Sequence, residues 1–239
     1  MWKGKSVSVV FSTYRDLETI RACIEDLFAT GVVDEVVAVD NNAEAGTKEE
    51  ILRTKARYCH EPRQGLGHGF QRALREASGD VIVTMEVDGT YRPADVLKLL
   101  AYSEDFDVVC GTRTAALLIR EGSEMGFFTR WPNVLYAKFV EVLFNTANLT
   151  DVGCIFRLMS RPAYERIAHC SMDGGWAFNL DWMLHVIRHR IRFIEIPVNF
   201  LPRSGHAVGA GQSKWKAASI AIRMFGVILR HRLNLIKTR

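Results

Sequence analysis

Along the first half of the chain, short apolar runs alternate with stretches in which apolar residues return every three or four positions. VSVVFS (7–12) precedes residues 16–30, where Leu17, Ile20, Ile24 and Leu27 fall at helical spacing. EVVAVD (35–40) ends in the turn-rich NNAEAGT, and a short helix is expected to reach about residue 55. ARYCH (56–60) leads through Gly65-Leu66-Gly67 into a helix ending near residue 77. DVIVTM (80–85) runs into Glu86-Val87-Asp88-Gly89-Thr90, and Pro93 suits the first turn of the helix that follows. DFDVVCGTR (105–113) reads as a fifth strand. Buried strands alternating with helices imply βαβ units and a mostly parallel sheet. Ligands of such sheets bind beyond the carboxyl ends of the strands. That rule points to residues 12–16, 40–42, 86–90 and 111–113.

The second half is less regular. Residues 114–132 mix Gly, Thr, Arg and aromatics and read as a long mobile loop, a feature that in compact domains is usually functional or disordered. A helix over about 133–145, a turn and strand over 151–159, helices near 162–169 and 176–190, and a strand over 191–200 follow. With no internal repeat and no linker, residues 1–239 read as one domain.

Composition narrows the class. The 239 residues are 48% hydrophobic, which excludes a disordered or low-complexity chain. Five cysteines, widely spaced and without a C-x-x-C pair, do not form a disulfide framework or zinc knuckle pattern. The first residues lack the apolar run of a signal peptide, and no stretch reaches about 18 consecutive apolar residues. A cytoplasmic protein is expected. Net charge is +4, yet no acidic residue follows Glu195, and residues 201–239 carry eight basic ones. An acidic body with a basic tail suggests a polyanionic partner: phosphate groups, a membrane surface or nucleic acid. No helix-turn-helix or similar module is present, so sequence-specific nucleic-acid binding is not expected.

The tail itself reads as a helix over 214–237. Lys216, Arg223, Arg230 and Lys237 recur every seven residues as one drifting stripe, while Trp215, Ala218, Ile222, Phe225 and Leu229 occupy the other side. Two readings stand: a helix lying in a membrane interface, or one packed on the domain with a solvated basic face.

Glu86 and Asp88, two residues apart at a strand end, place two carboxylates on one side of the chain. With phosphates and water they form the usual shell for Mg²⁺ or Mn²⁺; the alternative is an acidic turn capping the next helix. Gly65-x-Gly67-x-Gly69 lacks dinucleotide-fingerprint spacing and reads as a tight turn and helix start. Asp181, His185 and His189 share one helix face, where a solvated face beside Arg188 and Arg190 is favoured over a zinc site.

Taken in order, VSVVFSTYRD, VAVDNNAEAGT, GLGHGFQRALREASGDVIVTMEVDGTYRP, VVCGTR, LTDVGCIFRLMSR, RFIEIPVNFLPRSG and GQSKW resemble the family 2 glycosyltransferases, over about residues 6–233. The resemblance is strongest to the dolichol-phosphate mannose synthase and bacterial polyprenyl-phosphate branch. It implies an α/β, single-domain glycosyltransferase A fold, a mostly parallel twisted sheet flanked by helices, with the basic amphipathic helix at its end. Residues 1–113 would be the nucleotide-sugar-binding half, 114–213 the acceptor-side half, and 214–239 the basic helix. It further implies that Ser12, Tyr14, Asp16 and Asn41 line the base and ribose pocket. Glu86 and Asp88 would hold a divalent metal, with Val87 backbone nearby and Thr90 close to the metal shell; Asp88 also counts as catalytic. Arg113, Arg203 and Lys214 would contact phosphates. Metal and Arg/Lys would neutralise charge developing on the leaving diphosphate. Asp181 stands as a second catalytic candidate, orienting the acceptor or taking a proton, against a reading as a surface carboxylate near Arg188.

Several positions depart from the family pattern: Glu86 where Asp is usual, Thr90 for Gln, Ser12 for Pro, Arg15 for Asn, and a lengthened segment between Arg203 and Ser213. The resulting expectation is an inverting, metal-dependent transfer of a sugar from a GDP- or UDP-linked donor to a polyprenyl-phosphate-type lipid carrier, by an enzyme peripheral to the cytoplasmic membrane face. The alternatives are the same chemistry on a hydroxyl of a soluble molecule or glycan, and a non-catalytic nucleotide-sugar or polyanion-binding module.

Overall fold

Seven strands join in one sheet of order β3-β2-β1-β4-β6-β5-β7 in the computed structural model, which describes residues 1–123, 127–204 and 214–234. β1 (Val7–Thr13) lies between β2 (Glu35–Asp40) and β4 (Val81–Thr84), parallel to both, and β3 (Arg57–His60) extends the sheet in parallel beyond β2. β5 (Val108–Thr112) and β7 (Phe193–Pro197) are also parallel. Only β6 (Arg157–Ser160) runs the other way, with Leu158 facing Val83 on one side and Val109 on the other. The mostly parallel sheet is therefore as expected, with one antiparallel strand wedged into it.

The burial pattern explains the apolar runs. Every residue of β4 and β5 is buried because helices cover both faces of the sheet. On the edge, β3 exposes Arg57 and His60, polar groups that discourage further strand pairing. The helix α1 (Leu17–Ala29) buries Ile20, Cys23, Ile24 and Leu27, the face its spacing predicts. α2 (Thr47–Leu52), α3 (Leu66–Glu76) and α4 (Val96–Tyr102), the last entered through a short 3₁₀ turn at Pro93, fall where periodicity put them.

The second half brings corrections. Part of the expected loop is helical: α5 spans Phe127–Phe144 and runs through Pro132. Proline removes one backbone donor and interrupts the pattern locally, but the turns either side are retained. α6 (Arg161–Ile167) and α7 (Phe178–Arg188) are shorter than expected. More consequentially, α7 is buried along nearly its whole length, including Asp181 and His185, because α8 (Lys214–Arg232) lies against it. The solvated-face reading of Asp181 and His185 therefore fails. Among the described residues, no helix is long and apolar enough to cross a membrane.

Candidate active site

The carboxyl ends of the parallel strands open onto a cavity of about 310 Å³. The end of β1 contributes Ser12, Tyr14, Arg15 and Asp16; the end of β2 contributes Asn41; the end of β4 contributes Glu86 and Asp88. Gln64, Gly65 and Leu66 at the start of α3, Trp176 before α7, and Arg203 complete the wall. Of the residues predicted from sequence, Ser12, Tyr14, Asp16, Asn41, Glu86, Asp88 and Arg203 are thus brought together.

Asn41 shapes one side. Its side-chain nitrogen donates to the carbonyls of Glu61 (3.0 Å) and Arg63 (2.8 Å), and its oxygen accepts from the Gly65 amide (2.9 Å). One buried amide thereby satisfies three backbone groups of the loop that enters α3. The glycines beyond that loop answer to close approach. A Cβ on Gly67 would lie 2.0 Å from the Asp173 carbonyl oxygen, and one on Gly69 would lie 1.9 Å from Ser12 Oγ. Glycine lets α3 press against both the cavity wall at 173–174 and the end of β1.

The floor is acidic. Asp88 is buried; its Oδ1 accepts from the Thr90 amide (2.9 Å) and hydroxyl (2.5 Å). Its Oδ2 is buried as well and pairs with the Arg203 guanidinium without receiving an aligned hydrogen bond. Arg203 is delivered by the backbone: the Ser204 amide donates to the Asp88 carbonyl (3.0 Å) and the Leu201 amide to the Thr90 carbonyl (2.8 Å). Val87 is buried, and its carbonyl accepts from the Thr19 hydroxyl (2.6 Å).

Burial pushes the Glu86 carboxyl up to about 7, the charge of Asp88 adds to the rise, and Arg203 and Arg113 oppose it. Asp16 is likewise raised, first by burial and then by Asp88. Three carboxyl groups withdrawn from water share the cavity, so negative charge exceeds its compensation. That donor set, all oxygen and with Asp88 Oδ2 short of hydrogen bonds, fits a hard divalent cation such as Mg²⁺ or Mn²⁺.

Thr90 is buried and spends its hydroxyl on Asp88, so it stands beside that carboxylate and positions it. Other expectations are corrected. Arg113 does not line the cavity: its guanidinium pairs with both oxygens of Asp151 (2.8 and 2.9 Å) and lies over the Phe200 ring. A bidentate buried partner occupies the donors that a phosphate would need. Asp181 is also outside the cavity. Its Oδ1 lies 2.5 Å from His231 Nε2, and its Oδ2 accepts from the Asp173 amide (2.6 Å), so it ties α8 and the 173–176 segment to α7. Both carboxylate oxygens are engaged, which leaves neither to take a substrate proton. Lys214 opens α8, but its side chain lies outside the described residues, as do residues 205–213 and 235–239.

Arg15 falls within residues 12–16, to which the strand-end rule points, although no binding role is assigned to it from the sequence; Gln64, Leu66 and Trp176 also line the cavity without such an assignment. Trp176, after two glycines and just before a helix, was the visible signal: a half-exposed tryptophan in a turn has no core to explain it.

A family model described as "Glycosyl transferase family 2" matches residues 8–168, about two-thirds of the chain. The chain belongs to glycosyl transferase family 2. This family 2 glycosyltransferase is 25% identical over 254 residues to an undecaprenyl-phosphate mannosyltransferase of Micrococcus luteus, covering 96% of this chain and 99% of that protein. It is 26% identical over 202 residues to a dolichyl-phosphate hexose transferase of Haloferax volcanii, covering 83% of this chain and 84% of that one. Against glycosyltransferase AglD of the same organism it is 26% identical over 84% of its length but spans only 34% of that longer relative. Among solved structures, glucosyl-3-phosphoglycerate synthase from Mycobacterium tuberculosis, in complex with Mn²⁺, UDP and glucosyl-3-phosphoglycerate, superposes with a TM-score of 0.74 at 16% identity, over 95% of this chain and 80% of that one. The family 2 enzyme thus has the glycosyltransferase A fold: one α/β domain with a mostly parallel sheet flanked by helices.

Proposed function

We propose that this enzyme transfers a hexose from a GDP- or UDP-linked donor to a polyprenyl phosphate at a membrane surface, with inversion at the anomeric carbon. Residues 1–113 form the donor half of the site: Ser12, Tyr14, Asp16 and Asn41 receive base and ribose, with Arg15, Gln64, Leu66 and Trp176 completing the wall. Glu86 and Asp88 hold a divalent cation, whose chemistry is to neutralise charge on the leaving diphosphate. Thr90 fixes the Asp88 carboxylate, and Arg203, paired with Asp88, balances the acidic floor and would contact phosphate of the bound donor or acceptor. Lys214, at the mouth of α8, would assist with acceptor phosphate. A phosphate monoester is already anionic, so the acceptor needs no general base, in keeping with Asp181 being engaged elsewhere.

The observation that carries the lipid reading is the outer face of α8. The helix packs on the domain through Val227, Ile228 and His231, while Trp215, Ile222, Phe225 and Leu229 face outward; Trp215 is 88% and Ile222 75% exposed. The apolar side expected to pack is therefore the side left in water. α5 extends the same surface with Trp131, Leu135, Phe139 and Val142, and the Phe139 and Phe225 rings stack at 5.9 Å. Exposed Arg223, Arg230 and Arg232 accompany it. Apolar side chains flanked by arginines suit an anionic bilayer interface, at the cytoplasmic face where nucleotide-sugars are available. Two of the relatives are named for transfer to polyprenyl carriers over most of their length.

The test is sugar transfer from GDP- and UDP-hexoses, with Mn²⁺ or EDTA, to polyprenyl phosphate in anionic vesicles and, in parallel, to 3-phosphoglycerate. Metal-dependent transfer to the lipid supports the reading. Transfer confined to the soluble acceptor refutes the lipid acceptor while retaining the donor site.

A further inference from the structure

Four of the seven histidines, His169, His185, His189 and His231, gather where α6, α7 and α8 meet. Beside them is Cys170, just beyond the end of α6. Its sulfur lies 3.9 Å from Nε2 of His169 and 3.9 Å from Nε2 of His189, and one ligand atom from each of the three residues falls within 4.8 Å of the other two. Zinc bonds of about 2.3 Å to sulfur and about 2.0–2.1 Å to nitrogen, at a tetrahedral angle, separate the two ligand atoms by roughly 3.6 Å. A shift of a few tenths of an ångström brings the sulfur to that spacing from each imidazole.

The tautomer is already set for coordination. His189 Nδ1 lies 2.9 Å from the His185 carbonyl oxygen, which only accepts, so Nδ1 carries the proton and Nε2 turns its lone pair toward the sulfur. A ligating histidine is commonly held in this way by a backbone carbonyl. The neighbouring trio of Asp181, His185 and His231 is less suited, because both oxygens of Asp181 already accept hydrogen bonds. Cys170 is buried, His189 half-buried and His169 exposed, which leaves a fourth coordination position open toward water.

We propose that His169, Cys170 and His189 bind a zinc-class transition-metal ion, at a site separate from Glu86 and Asp88. The two differ in chemistry: one sulfur and two nitrogens select a borderline-soft ion, and the all-oxygen set selects Mg²⁺ or Mn²⁺. On binding, the Cys170 thiol releases its proton to solvent as the metal–sulfur bond forms, and both imidazoles bind neutral. The ion would tie the end of α6 to the end of α7. The segment between those ends supplies the carbonyls of Met172 and Asp173 to Gln71, the Gly174 carbonyl to His68, and Trp176 to the donor cavity. Zinc would therefore brace one wall of that cavity from behind.

The test is Co²⁺ titration of the full chain, reduced and stripped with EDTA. The expected result is a sulfur-to-cobalt charge-transfer band that saturates at one equivalent, disappears when Zn²⁺ displaces Co²⁺, and persists in the Glu86→Gln/Asp88→Asn double variant. Cys170→Ser should abolish the band. Because His169 is exposed, His169→Ala leaves the fold intact and should weaken Zn²⁺ binding in a chelator competition by at least about 10–100-fold, the scale on which losing only an outer-shell partner of a ligand acts. A folded protein that shows no band, a band that survives Cys170→Ser, or unchanged zinc affinity in His169→Ala each overturns the site.

Discussion

At the carboxyl edge of the sheet, Asp16, Glu86 and Asp88 are acidic groups drawn out of water, whereas on α5 and α8 Leu135, Val142, Trp215 and Ile222 are apolar groups left in it. Each arrangement runs against the ordinary partition of residues between surface and core: the carboxyl groups cost stability unless they are compensated, and the exposed apolar groups forgo the gain that burial would bring. The cavity offsets part of that cost locally: Thr90 and Arg203 hold Asp88, and the Thr13 hydroxyl and Tyr14 amide hold Asp16. The outer face is not covered by the described residues, so its apolar area contributes only when a partner surface covers it. Binding surfaces of opposite character thus sit on one domain, and the segment 173–176 touches both: Trp176 lines the cavity and Asp173 pairs with Arg223 of α8 at 2.7 Å.

The comparison breaks most sharply at Asp88. Asp88→Asn should lower transfer by about 10²–10³-fold, the scale of losing one preorganised charge-stabilising group, with vesicle binding unchanged. A steady-state assay beside a flotation assay checks both halves; retention of near-normal transfer would remove the cation from the proposal. The converse variant, Trp215→Ser/Ile222→Ser/Phe225→Ser, should cut partitioning to anionic vesicles by about 10²-fold, since the lost side chains are already exposed in the free protein and matter only when buried. Donor binding and melting temperature should stay near wild type. If the melting temperature falls steeply instead, the face packs against the chain itself.

Gly67→Ala sharpens the view of the wall shared by the two regions. Its Cβ would overlap a backbone carbonyl of 173–174, so denaturant unfolding should show a loss of about 1–3 kcal/mol and weaker nucleotide binding. The smallest effect is on pH dependence. Glu86 holds its proton up to about 7 in the folded chain, above its value of about 4.5 when unfolded, so between those limits the folded state binds more protons and stability falls as pH rises. Glu195, also raised to about 7 by burial, acts in the same direction. Without divalent metal, melting temperature should rise by a few degrees from about pH 7.5 to about pH 5.5. Glu86→Gln should reduce that slope, and added Mn²⁺ should reverse it for the wild type; thermal scans across the range provide the measurement.

Much of this was legible in the chain. The alternation of apolar runs with helical periods and the strand-end positions Ser12–Asp16, Asn41 and Glu86–Asp88 located the cavity, because strand burial and the ends of parallel strands are local or nearly local properties; Arg203 came from the family resemblance alone. What could not be read was which polar groups are already taken. Arg113 and Arg203 looked alike, yet Arg113 is held by Asp151, 38 positions away and outside the cavity, whereas Arg203 pairs with Asp88 on the cavity floor. Asp181 looked like a surface or substrate carboxylate until α8 placed His231, 50 positions on, against it.

The sequence by itself determined the class of fold, the sheet edge at which the cavity opens, and the presence of a two-sided basic helix, since periodicity and spacing fix those through backbone geometry alone. Tertiary structure decided which side of α8 faces the domain, which arginine reaches the cavity, and which histidines meet Cys170. Those outcomes rest on contacts between elements far apart in the chain, and a side chain's partners are chosen by the packing of whole helices and not by its neighbours in sequence.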